Sequence, residues 1–166
     1  MLKINSLSDL SKELKYLIAT FVIVTSIGFL SSVAFVDYSN STTPDGLVEQ
    51  YNGNESIEDD VEVMKFKKSE REILTIIHSH ILSMSVIFFL MGLLVCFTNT
   101  NIKLKLFLAI EPFVSILLTF GGIYLLWLDL LWFKYVVIFS GILMTLSFLL
   151  SAFLILKDLK LFQPKI

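Results

Sequence analysis

Four long apolar runs, separated by polar stretches, set the pattern of this chain. They cover about residues 16–36, 71–97, 104–127 and 133–156. A helix rises about 1.5 Å per residue, so about 20 residues cross a hydrocarbon core of roughly 30 Å. Each run reaches that length. The pattern therefore predicts an all-α membrane protein, a four-transmembrane-helix up-down bundle, because spanning helices satisfy their own backbone groups. Residues 1–166 are expected to form a single membrane domain, with residues 37–70 as one long acidic outer loop.

The run ends sharpen this picture. Ser69 and Glu72 have the Ser-x-x-Glu spacing of a capping box, and Arg71 falls at the water interface. From Ile73 to Phe97 there is no acid, Lys or Arg, and Thr98-Asn99-Thr100-Asn101 ends the helix in polar residues. In the first run, Ser32-Val33-Ala34 resembles a small-x-small signal cleavage site. Its apolar core exceeds the usual 7–15 residues of a signal peptide, which favours a retained anchor. In the long polar stretch, Thr43-Pro44-Asp45-Gly46 reads as a turn. The acidic middle of that stretch (Glu55, Glu58, Asp59, Asp60, Glu62) reads as a solvated loop, with a docking or cation-binding site as the sharper alternative. The last two runs are separated by only a few residues and should form an antiparallel hairpin. Tyr124, Trp127, Trp132 and Tyr135 bracket Asp129 at its turn, as an interfacial aromatic belt does.

Composition agrees with a bilayer. Of 166 residues, 55% are hydrophobic and 17% charged, below the about 25% charged of soluble domains. The net charge of −2 matters less than its distribution. Four spans put Lys3, Lys12, Lys15, Lys103, Lys105, Lys157, Lys160 and Lys165 on one side, and Lys65, Lys67, Lys68, Arg71 and Lys134 on the other with most of the acids. The positive-inside rule then places both termini in the cytoplasm, in an inner membrane, with the loop outside. A lone cysteine, Cys96, excludes an intrachain disulfide. No GxGxxG, Walker A, HExxH, CxxC or GxSxG pattern is present, so no soluble-enzyme chemistry is signalled and no nucleic-acid partner is expected.

Candidate chemistry lies inside the runs. His78 and His80 are the only histidines, on one span, nearer one membrane face than the centre. Two positions apart, they point roughly 200° from each other. His78 shares a stripe with Ser85 and Gly92, with Cys96 one turn on, which places it on a helix-packing seam. His80 shares a stripe with Met84, Ile87 and Met91. The histidines, with Met84, Met91 or Met144 as a soft partner, are candidate ligands for b-type haem or copper. An interfacial imidazole bonded to a neighbouring hydroxyl or carbonyl is the plainer reading. Glu111 is the acid buried in a span, followed by Pro112, which should kink its helix. Glu111, Ser115, Leu118 and Gly122 fall on one face, with Thr119 adjacent. That face should point into the bundle, because an acid facing lipid costs several kcal/mol. It is either a proton-accepting or ligand-binding carboxylate or a protonated Glu bonded to a nearby group. Ser140, Met144, Ser147 and Ser151 form a stripe on the last span, another candidate packing seam alongside Gly122.

The run TPDGLVEQYNGNE, then MKFKKS, the HSH helix and SGILMTLSFLL at 140–150 resembles a group of small four-span bacterial inner-membrane proteins. The resemblance covers about Thr43 to Leu150 and implies the four-helix fold and a bacterial inner membrane, with no activity attached. The chain thus reads first as a non-enzymatic accessory or interaction subunit in the lipid bilayer, paired with other membrane subunits or as a homodimer. A membrane redox protein using His78 or His80 is the alternative. A small transporter or proton-conducting bundle using Glu111 is the third.

Overall fold

Local sequence signals start most of the helices in the computed structural model, which describes residues 6–39, 42–54 and 64–161. The acidic run Glu55, Glu58, Asp59, Asp60 and Glu62 lies outside the described residues. Helix α1 (Lys12–Tyr38) begins after Ser11, whose hydroxyl accepts from the Leu14 amide. Helix α3 (Glu70–Cys96) begins with the expected capping box: the Ser69 amide donates to Glu72 at 2.8 Å, and the Glu72 amide returns to the Ser69 hydroxyl. Helix α4 (Ile102–Trp127) starts at Asn101, and α5 (Phe133–Asp158) follows after a short turn. These four helices are each long and apolar enough to cross a membrane. The chain is an all-α protein with a four-helix transmembrane architecture, and the described residues contain no strand.

One expectation changes. Thr43-Pro44-Asp45-Gly46 is the start of a further helix, α2 (Pro44–Asn52), instead of a free turn. Thr43 Oγ1 accepts from the Gly46 amide at 3.0 Å, and Pro44 occupies the first helical position, where its missing N–H costs nothing. Turn chemistry and helix-start chemistry use the same residues. Leu47, only 5% exposed, decides between them by packing on the bundle.

The helices α3, α4 and α5 pack on one another, and α4 is the most enclosed. In its most apolar stretch half of α4's residues are buried, against 17% for α1. Helix α1 meets the others through Ala19, Val22 and Phe29. The Phe29 ring stacks on Phe148 of α5 at 4.1 Å and meets Phe88 of α3 edge-on at 6.2 Å. Every α1 residue from Leu30 to Tyr38 is exposed, so the last third of α1 is left uncovered by the other helices. The α4–α5 turn closes with Asp129 in the left-handed region at φ 68, while the Leu130 amide donates to the Leu125 carbonyl at 3.1 Å. Helix α2 lies across this end of the bundle, the cap end.

Candidate functional site

The half of α3 nearest the cap end carries polar side chains outward. Thr75, His78, Ser79, His80 and Ser83 are all exposed, within a span flanked by Leu74, Leu82 and Val86. Thr75 donates to the Arg71 carbonyl, Ser79 to the Thr75 carbonyl and Ser83 to the Ser79 carbonyl, each at 2.7 Å. These hydroxyls are thus satisfied within their own helix. His80 donates from Nδ1 to the Ile76 carbonyl at 2.7 Å and rests its ring on Phe120 of α4, 5.1 Å between centroids. His78 forms no hydrogen bond to the described residues. It edges a shallow groove with Glu70, Arg71, Leu74 and Thr75.

This differs from the expected seam, which had His78 facing another helix. Gly92 is buried, an added methyl there would just touch the Ala109 Cα at 3.5 Å, and Ser85 is half-buried. His78 and Cys96 are exposed. A straight α-helix turns a heptad stripe by about 20° per heptad, so positions 78 and 92 point about 40° apart. Only the Gly92 part of the stripe meets α4 closely. Met84 is half-buried, and Met91 and Met144 are buried. Among the described residues no three His, Cys, Asp or Glu side chains converge as a metal-ligand group.

A second polar cluster lies inside the bundle. Glu111 is 8% exposed, and Ser115, one turn on, donates its hydroxyl to Glu111 Oε1. Glu111 Oε2 is buried without a hydrogen-bond partner among the described residues. Thr119 Oγ1 and Ser140 Oγ lie 2.7 Å apart across the α4–α5 contact, and Ser140 also donates to the Val136 carbonyl at 2.8 Å. Three residues beyond Thr119, Gly122 lets the helices close: an added methyl there would sit 2.8 Å from Val137 Cγ2. Ser140, Met144, Ser147 and Ser151 of α5 are all buried on this contact side. Leu118 is 44% exposed, so Thr119 takes its place on the inward face. Helix geometry explains the exchange: from Glu111, position 119 lies about 80° round and position 118 about 20° the other way, and the α5 crossing lies on the Thr119 side. The carboxyl and the histidines stay apart. His80 meets Phe120, nine residues and about 14 Å along α4 from Glu111.

Comparison with known proteins adds a family. A family model described as a transmembrane helical domain matches residues 41–165. The chain belongs to that family. No curated protein and no solved structure matches it. Within this transmembrane helical domain, the matched residues take in α2 to α5 and leave out α1, the helix least enclosed by the rest.

The matched region includes a polar cap that sequence reasoning missed. Asn52 at the end of α2 donates to the Leu126 carbonyl at 3.0 Å and to Asp129 Oδ1 at 2.8 Å. Lys67 pairs with Asp129 at 2.9 Å and lies over the Trp127 ring, whose Nε1 donates to the Lys68 carbonyl at 2.8 Å. Lys134 pairs with Asp45 at 2.8 Å. Lys67, donating to Asp129, holds that carboxyl below the usual carboxylate range, and Asn52 assists. Gly53 ends α2 at φ 80 and lets the returning segment pass: an added methyl would meet the Lys67 amide nitrogen at 2.7 Å and the Lys65 carbonyl oxygen at 2.8 Å. The signal was present as Thr43-Pro44 at a helix start and Gly53 nine residues later. The long-range partners were not legible from local pattern.

Proposed function

We propose that this membrane domain is a non-enzymatic interaction subunit that receives a helix of another membrane protein against the cap-end half of α3. The observation that supports this reading is the outward placement of His78 and His80 inside an apolar span. An ionisable side chain facing acyl chains is costly. His78 lies about 12 Å along the helix from its first residue, so it is past the headgroups in a helix that spans about 40 Å. A partner helix that brings a carboxylate, hydroxyl or free carbonyl to His78 removes the cost. The back-bonded hydroxyls of Thr75, Ser79 and Ser83 keep the surrounding face small enough for close approach. On this reading the cap end faces outside a bacterial inner membrane and both termini face the cytoplasm. In the sequence, eight lysines fall in the segments assigned to the other side, against four lysines and Arg71 in those assigned to the cap side, which supports it.

A photo-crosslinking side chain at position 78 or 83, activated in intact membranes, tests the reading. Discrete protein adducts from these positions, absent when the probe sits at the exposed Phe139 of α5, are expected. Adducts to lipid alone from positions 78 and 83 would remove the interaction reading. The same purified protein should be scanned oxidised and reduced, with metal analysis. A reducible haem band lost in His80→Ala would replace interaction by redox function.

A further inference from the structure

We propose that Glu111 is a proton-binding site within the membrane: its carboxyl carries a proton on Oε2 at neutral pH and exchanges it with water. The first ground is the geometry of the group. The side chain is 8% exposed, one oxygen accepts from Ser115, and the other is buried with no partner among the described residues. A single hydroxyl donor is a poor replacement for the hydration of an ionised carboxylate, and an unpaired charged oxygen in an apolar interior costs several kcal/mol. A proton on Oε2 removes the charge.

The second ground is the absence of a counter-ion where one is needed. Residues 84–95 of α3 and 137–155 of α5, which pack on α4 at this level, contain no Asp, Glu, Lys, Arg or His. Residues 16–36 of α1 contain none either. On α4 itself the nearest cation is Lys105, about 9 Å along the axis, and its Nζ donates to the Cys96 carbonyl at 3.0 Å. The histidines lie toward the cap end, beyond Phe120. Among the described residues nothing charged is placed to hold Glu111 ionised.

A third ground is what surrounds the carboxyl. Pro112 has no N–H, so the Leu108 carbonyl in the preceding turn lacks its helical donor. Ser115 and the Thr119–Ser140 pair continue the buried polar column toward the cap end at one-turn intervals. Hydroxyls both donate and accept, so these groups can pass a proton where water joins them to the carboxyl. Backbone carbonyls freed at helix breaks serve as ion sites in other membrane bundles. Here one carboxyl with two or three neutral oxygens suits a proton better than a metal cation, which needs several more oxygen ligands.

Infrared spectroscopy reads the proposal directly, because a protonated carboxyl and a carboxylate absorb in separate regions. Lipid-reconstituted protein with isotope-labelled glutamate carboxyls should show one protonated-carboxyl band at neutral pH. That band should shift in D2O, give way to carboxylate absorption as the pH is raised, and vanish in Glu111→Gln. Ser115→Ala removes the donor to Oε1 and should move the same band to higher frequency, which assigns it even where Glu111→Gln fails to fold. Carboxylate absorption alone at neutral pH would overturn the proposal. A protonated band indifferent to D2O and to pH would overturn it too, since the proton would then be a fixed structural hydrogen.

Discussion

Replacing Gly122 by Ala, alone and with Val137→Ala, tests whether the α4–α5 contact is set by one missing methyl. The Ala methyl would sit 2.8 Å from Val137 Cγ2. Carbon atoms prefer about 3.5–4.0 Å, so the pair is too close by roughly 0.7–1.2 Å. Valine cannot easily turn away, because its branched side chain is confined at χ1 in a helix. The helices must part instead, and overpacking of this kind costs about 1–3 kcal/mol. Val137 is 5% exposed, so Val137→Ala by itself leaves a gap. Apolar surface has no preference for protein over lipid tails, so its cost comes from lost dispersion, about 0.1–0.2 kcal/mol per atom pair and about 1 kcal/mol in all. Together the two changes remove the clashing Cγ2 and set the new Ala methyl beside the space it leaves, with a net loss of one methyl across the contact. The pair should therefore recover at least about 1 kcal/mol relative to the sum of the single changes. Parting the helices also stretches the Thr119–Ser140 bond one turn away, adding a few tenths of a kcal/mol in the single Gly122 variant. Reversible unfolding in mixed micelles, followed by far-UV circular dichroism, gives all four stabilities. Additivity within about 0.5 kcal/mol would refute the reasoning, because uncoupled sites add.

The cap makes two further predictions. Gly53→Ala should loosen it by about 1–3 kcal/mol from the backbone alone, since φ 80 with ψ 176 is a conformation essentially confined to glycine, with more from the clash against the Lys65–Lys67 backbone. Faster hydrogen exchange at the Lys68 amide, which donates to the Tyr51 carbonyl at 3.1 Å, would report it, and unchanged exchange would contradict the role given to Gly53. The cap should also be acid-sensitive. The folded-state Asp129 carboxyl is held below its ordinary value of about 3.9, so its contribution is present above that pH and is lost as pH falls through the lower folded value. Trp127 fluorescence should therefore be flat from neutral pH to about 5 and change only in stronger acid. Asp129→Asn, which removes the charge facing Lys67, should abolish that step, and an unaltered step would assign it elsewhere.

What the amino-acid sequence determined is what the bilayer and the backbone impose locally. Apolar runs of sufficient length become spans wherever they occur, because every buried N–H and C=O must be satisfied within the helix. The Ser69–Glu72 box fixes the start of α3 for the same local reason. Glu111 was legible as an inward residue because an acid has a strong preference against lipid. Helix rotation elsewhere was not legible. Leu118 and Thr119, or His78 and Gly92, cannot be sorted by hydropathy when lipid-facing and helix-facing surfaces are both apolar. The crossing of α4 with its neighbours decided that Thr119 meets Ser140 and that His78 faces outward. Tertiary structure also turned Thr43-Pro44 from a turn into a helix start. Only the folded bundle brings Asn52, Lys67 and Asp129 together across more than 60 residues of chain, and pairing at such separation leaves no periodic trace in the sequence.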